Sequence, residues 1–256
     1  MEEMKYPKYL YKFYPLFDSR TESKKRLKTL RDGFFWLSYT WQLNDPTEFN
    51  YHLNDQSGLF NMLTSVYRSD HRITCFSAKL LNLPMWSHYT NGYRGFCVKY
   101  RVLDPPVNIY KVTYTKRPKP LSELLSDTRG YSVMLEFCDR VNKLVENKVN
   151  IDFNEVREFL PPPEDMDEIL DMYYKKVLAL KSSDWSYERE YRIILPPVVD
   201  FTDGDHLLPY EYSFLEPVRF YIGMKCSEQN EADLRQISED WDLDEAHRMT
   251  VSDFYR

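Results

Sequence analysis

Residues 184–197, DWSYEREYRIILPP, place three charged side chains at every second position, Glu188, Glu190 and Arg192, directly before Ile193, Ile194 and Leu195. A run that is charged at one end and apolar at the other reads as a strand that dives into a core. On a strand, successive side chains face opposite sides, so Glu188, Glu190, Arg192 and Ile194 are expected to share one face and Arg189, Tyr191, Ile193 and Leu195 the other. The two carboxylates would then stand about 7 Å apart, a spacing at which they repel unless a cation or solvent intervenes. Two readings follow. The run is either an edge strand with a solvated acidic face partly neutralised by Arg192, or a carboxylate pair facing a cleft, with a proton affinity raised for catalysis.

The same two-residue period recurs along the chain. Tyr6–Leu16 alternates aromatic residues between prolines and predicts a first strand, with Tyr9, Tyr11 and Phe13 on one side and Leu10, Lys12 and Tyr14 on the other. Further strands are predicted over Gly33–Thr40, His71–Leu80, Phe96–Val102, Val107–Lys116 and Pro217–Cys226. Helical spacing predicts a basic helix over Ser19–Arg31, capped from the segment DSRTE, a short helix over Gly58–Val66, helical turns from Leu83, and a capped helix over Ser227–Trp241. Trp41–Asn50 reads as a turn held by Asn44, Asp45 and Pro46. Residues 121–182 differ in character, with helical periodicity broken at LPPPED, and read as a helical insertion. Hairpin-like neighbours outnumber strand–helix–strand units, which predicts a single α+β domain over residues 1–256 with mixed, mainly antiparallel sheets.

Charge and cysteine usage narrow the function classes. The net charge of −6 gives no generic attraction to nucleic acid. The basic run Ser19–Gly33 reads as a solvated helix face. Cys75, Cys97, Cys138 and Cys226 form no CxxC pair, and no His/Cys/Asp/Glu spacing announces a metal. The charged start MEEMKYPKYL is no signal peptide, and no apolar run approaches the roughly 20 residues needed to span a bilayer. These features predict a reduced, cytoplasmic protein with no membrane partner.

The second segment that could carry chemistry is Cys75–Tyr89, CFSAKLLNLPMWSHY. It predicts a strand ending in Ser77, then a helical turn presenting Trp86, His88 and Tyr89. Trp86 and Tyr89, three apart, would fall on one side of that turn. His88 is open to reading as a general base, a nucleotide contact or a structural histidine. Ser77 has no Gly-x-Ser-x-Gly setting, which argues against a hydrolase nucleophile. With only 7 glycines, a Gly-rich phosphate loop is not expected.

Taken together, YLYKFY, QLNDPTEF, ITCFS, MWSHYTNGYRGFCVKY and WSYEREYRIIL resemble, in order from Tyr9 to about Gly223, a bacterial family of unknown function catalogued under number 2971. The order of segments is also similar to the ADP-ribosyltransferase fold, which implies sheets around a central cleft and NAD as substrate. In that resemblance Glu190 takes the catalytic Glu-x-Glu position, with Glu188 as its partner and Ser77 in the middle motif. Lys12 stands where that family has Arg or His. Tyr11, Lys12, Trp86, His88, Tyr89 and Arg192 would contact NAD, with Trp86 or Tyr89 stacked on nicotinamide. The implied activity is ADP-ribosyl transfer or NAD glycohydrolysis, of the kind found in bacterial toxins and phage-defence effectors, with protein, nucleic acid or water as the acceptor. It requires the acidic strand and the early Tyr-Lys strand to line opposite walls of one hollow. Two other readings stay open: a divalent-metal nuclease using Glu188, Glu190, Asp45 and His88, and a non-enzymatic sensor or interaction module.

Overall fold

The computed structural model describes residues 6–17, 19–45, 48, 71–103, 109–116, 136, 139, 140, 143, 175–195 and 207–255. The chain divides into two compact units, one formed by Met1–Ser38, Arg72–Val112 and Asp184–Arg256, the other by Tyr39–His71 and Thr113–Ser183.

The first unit is built on one sheet. Its strands are β1 (Tyr9–Tyr14), β4 (Arg72–Ser77), β5 (Phe96–Val102), β6 (Ile109–Lys111), β9 (Glu190–Leu195), β11 (Leu215–Ile222) and β12 (Asp244–Arg248). They run in the spatial order β12-β11-β5-β1-β4-β9-β6. All neighbours pair antiparallel except β11 and β12. The mainly antiparallel α+β class read from the sequence is therefore observed. The early Tyr-Lys strand and the acidic strand do not face each other as opposite walls: β4 lies between β1 and β9 in the same sheet. Sequence periodicity cannot order strands, because their neighbours are chosen by contacts distant along the chain.

The two sheet faces are covered differently. Leu10, Tyr14, Phe76, Phe96, Val98, Tyr100, Ile193 and Phe220 form the main core. Against them pack Leu27 and Leu30 of α1 (Arg20–Arg31) and Leu234 and Ile237 of α3 (Glu228–Asp240). In α1 the buried residues are Ser23, Leu27 and Leu30, a stripe at i, i+4 and i+7, so Lys24, Lys25, Lys28 and Arg31 fall on the outer face as expected, while Arg26 is partly buried. The expected cap differs. Ser19 makes no side-chain cap, and Ser23 instead reaches back, accepting from Phe17 N–H at 3.0 Å. Ser227 caps α3 as predicted, accepting from Asn230 N–H at 3.3 Å.

The opposite face carries a smaller cluster in which Trp86 of α2 (Leu83–Tyr89) packs with Cys97 and Met249, flanked by Tyr11, Phe13, Tyr221 and Phe254. Beside the main sheet, β2 (Phe34–Trp36) pairs antiparallel with β10 (Leu207–Pro209). The predicted strand Gly33–Thr40 is split into β2 and β3 (Ser38–Tyr39).

In the second unit, β7 (Thr113–Thr115) and β8 (Leu180–Ser182) pair in parallel. The predicted strand Val107–Lys116 is thus two short strands, β6 and β7, and the expected helical stretch gives way to a strand at Leu180. Residues 136, 139, 140, 143 and 175–178 are helical. Most of the proposed insertion, and the helix expected over Gly58–Val66, lie outside the described residues. Among the described residues no helix is long and apolar enough to cross a membrane.

Candidate functional site

Strand β9 is buried along its whole length, which overturns the edge-strand reading of its acidic face. Glu190 opens the strand at 4 % exposure, and Arg192, two residues on and on the same face, is 0 % exposed. Arg192 donates twice to Glu190, from Nε to Oε1 at 2.7 Å and from Nη2 to Oε2 at 3.1 Å. Alternation predicted that the two would share a face, and the planar guanidinium turns this into a two-pronged, charge-assisted pair.

Glu188 is not on the strand. Ser183–Glu188 is a 3-10 turn, and Arg189 follows at φ 45°, so the chain swivels between the two carboxylates. Glu188 is nonetheless 2 % exposed. Its Oε1 accepts from the Tyr89 hydroxyl at 2.5 Å. Its backbone carbonyl accepts from Ser77 Oγ at 2.6 Å, and Ala78 N–H donates to the Arg189 carbonyl at 2.9 Å. Ser77 is therefore a positioning residue in this structure, holding the end of the turn against β4.

The register aligns these groups. Ser77 stands opposite Glu190 across β4–β9, and Tyr11 stands opposite Ser77 across β1–β4. Directly opposed residues on neighbouring strands share a face, so Tyr11, Ser77 and Glu190 form one row. Cys75 is opposite Arg192 on that same face, and its thiol donates to Glu190. Burial, reinforced by the Glu190 charge, pushes the Cys75 thiol well above the usual range. Burial beside Tyr221, Cys97 and Tyr9 raises the Tyr11 hydroxyl to about 12, so it remains a donor.

Other expected contacts fall elsewhere. Trp86 is fully buried, edge-on to Phe13 at 5.4 Å, with Nε1 donating to the Leu80 carbonyl at 2.9 Å. It is a core residue and presents no face for a nicotinamide ring; its size and lack of charge fit it for the space between α2 and the sheet. His88 is exposed on α2 and makes no hydrogen bond or ion pair among the described residues. Asp45 and Glu48 belong to the second unit, where Glu48 pairs with Lys181 at 3.0 Å. Among the described residues no group of three or more His, Cys, Asp or Glu side chains is arranged to hold a metal ion.

Lys12 points to the face opposite Glu190, as alternation requires. Its Nζ donates to Thr74 Oγ1 at 2.6 Å and to the Cys75 carbonyl at 3.1 Å, 5.1 Å from the centre of the Phe76 ring. Burial lowers its pKa from 10.5 to about 8; Cys75 and Glu190 oppose the shift and Arg26 adds to it. Below about pH 8 the native state carries the full penalty of a desolvated ammonium. Between about 8 and 10.5 the native amine releases its proton while the unfolded one keeps it, so this contribution stabilises the fold as pH rises. Lys12→Met is therefore expected to gain most, relative to wild type, at pH 7.5. That advantage shrinks by on the order of 1–2 kcal/mol by pH 10.5. Paired denaturant titrations at the two pH values check this, and a difference independent of pH refutes it.

Two residues of the site were not singled out from the sequence. Asn82 caps α2, accepting from Met85 N–H at 3.4 Å, while its Nδ2 donates to the Tyr187 carbonyl at 2.5 Å. It thereby ties the helix bearing Tyr89 to the turn bearing Glu188. An Asn directly before Leu-Pro was a legible cap signal. Cys75 had no local signal beyond standing two residues before Ser77.

Residues 85–193 match the model of the family described as protein of unknown function (DUF2971). The DUF2971 span holds Trp86, His88, Tyr89, Glu188, Glu190 and Arg192, so the family resemblance of these motifs is borne out. It is narrower than the Tyr9–Gly223 order of motifs and does not reach Tyr11, Lys12 or Ser77. No curated protein and no solved structure matches the chain.

Proposed function

We propose that the first unit is an NAD-consuming glycosyl-transfer enzyme, ADP-ribosyltransferase-like or an NAD glycohydrolase, with Glu190 and Glu188 at its reacting centre. The observation that supports this is the row Tyr11–Ser77–Glu190 across three neighbouring strands, with Glu188 held beside it by Ser77 and Tyr89. In the reaction the bond from ribose C1′ to the nicotinamide nitrogen breaks. Its electron pair leaves with nicotinamide and discharges the ring's positive charge. The ribose is left oxocarbenium-like, and the acceptor adds at C1′ and loses a proton.

The chain's part is electrostatic. As ionised groups, Glu188, Glu190 and Arg192 together carry one net negative charge in a site shielded from water, opposite in sign to the charge that develops on the ribose. Arg192 and the Cys75 thiol fix the Glu190 carboxylate, and a ribose hydroxyl would donate to it. The partly exposed rings of Tyr11 and Tyr89 offer flat surfaces for nicotinamide. Both oxygens of Glu190 already engage a guanidinium, which suits sugar-hydroxyl recognition better than a divalent-metal nuclease.

Mass spectrometry of NAD incubated with the purified chain is expected to show released nicotinamide. Glu190→Gln keeps the shape and loses the charge, and its folded fraction should release nicotinamide about 100-fold or more slowly than wild type. No release by wild type, or undiminished release by folded Glu190→Gln, overturns the proposal.

A further inference from the structure

The row that contains Glu190 continues past Tyr11. Tyr11 is opposite Lys99 on β5, Lys99 is opposite Arg219 on β11, and Arg219 is opposite Asp244 on β12. One face of the sheet therefore carries, in line, Glu190, Ser77, Tyr11, Lys99 and Arg219. At about 4.8 Å per strand, Lys99 lies about 14 Å and Arg219 about 19 Å from Glu190, measured between backbones.

Like charges directly opposite one another on paired strands destabilise a sheet. Lys99 and Arg219 are such a pair by register, and Asp244 relieves it only from the Arg219 side. The Lys99 ammonium lies 3.8 Å from the centre of the Tyr9 ring, with no carboxylate at ion-pair distance among the described residues. Arg219 comes only to 3.7 Å from Asp244, beyond hydrogen-bonding reach. Its Nε is buried with no partner, although another of its donors serves the Tyr221 hydroxyl. The next cation along β5, Arg101, is by contrast paired with Glu216 at 3.2 Å. A buried donor left unmade is costly, and an ammonium and a guanidinium carried by directly opposed residues supply the charge that linked phosphates need. Tyr11, standing between this pair and Ser77, is a neutral hydroxyl that does not repel an anion.

We propose that Lys99 and Arg219 bind the diphosphate of a nucleotide whose sugar end lies toward Glu190. The orientation toward Glu190 rests on the function proposed above; the diphosphate site stands on the cation pair alone. The substrate class is a nucleoside diphosphate derivative, and Lys99 and Arg219 are its positioning residues.

ADP is the probe. Calorimetric titration of the full chain is expected to show ADP binding, with adenosine at least tenfold weaker. Lys99→Gln and Arg219→Gln keep much of each stem and should each weaken ADP at least tenfold. Their melting temperatures should be unchanged or raised, since a repulsion is removed. Failure of ADP to bind, equal binding of adenosine, or ADP affinity unchanged in both Gln variants overturns the site. ADP binding that depends on Lys99 and Arg219, in a protein that releases no nicotinamide from NAD, keeps the diphosphate site and sinks the NAD-cleavage reading.

Discussion

Arg192→Ala is expected to destabilise the protein by about 3–5 kcal/mol, lowering its melting temperature by on the order of 10 °C. Arg192 is fully buried, and its Nε and Nη2 satisfy both carboxylate oxygens of Glu190, itself buried. Truncation leaves that buried carboxylate beside the Cys75 thiol without two charge-assisted bonds. The loss comes less from the pair's attraction than from the charge left behind. Removing both members should therefore recover part of it: Arg192→Ala/Glu190→Ala is expected to be more stable than Arg192→Ala alone. Equilibrium unfolding of the three variants gives the coupling directly. An Arg192→Ala protein within 1 kcal/mol of wild type, or a double variant worse than the single one, would show that the pair does not hold this part of β9.

Alanine at Gly223 should be at least as damaging, with a loss above about 3 kcal/mol or no folded protein at all. A Cβ there would sit 2.2 Å from the Tyr93 carbonyl oxygen and 2.7 Å from that of Gly95. Both obstacles are backbone atoms, and hydrogen bonds draw the chains together. Gly223 N–H donates to the Gly95 carbonyl at 2.8 Å, and Lys225 N–H to the Tyr93 carbonyl at 3.0 Å. Making room for one methyl means breaking those bonds in a packed region. Gly95 is under the same constraint from the other side, its Cβ position lying 2.0 Å from the Tyr14 carbonyl oxygen. The crossing secures the loop that joins α2 to β5, and so the placement of Tyr89 over Glu188. Gly33→Ala is the internal comparison. Nothing lies within 4 Å of its Cβ position, and only its φ of +79° resists substitution, so about 1 kcal/mol is expected. Thermal melts that rank Gly33→Ala with or below Gly223→Ala would refute the steric account.

Much of the candidate site was legible as local pattern. Glu190 and Arg192 two residues apart on a strand had to share a face, and they form the ion pair at the centre of the site. Tyr89 and Trp86 on one helical turn were legible together, but not their separate fates, one a buried core ring and the other a hydroxyl on Glu188. Glu188 was misplaced because a charged run carries no signal for the swivel at Arg189, whose φ of 45° depends on the turn packed against β4.

From the sequence alone followed the class of elements, the alternation that separates Lys12 from Tyr11, and the facing of Glu190 with Arg192. All of these are properties of residues two to four apart, set by the geometry of a strand or a helical turn. Only the tertiary structure decided that β4 lies between β1 and β9, and that Tyr11, Ser77, Glu190, Lys99 and Arg219 fall into one row. Strand neighbours and register are chosen by burial across the whole sheet, where residues far apart in the chain compete for the same partners.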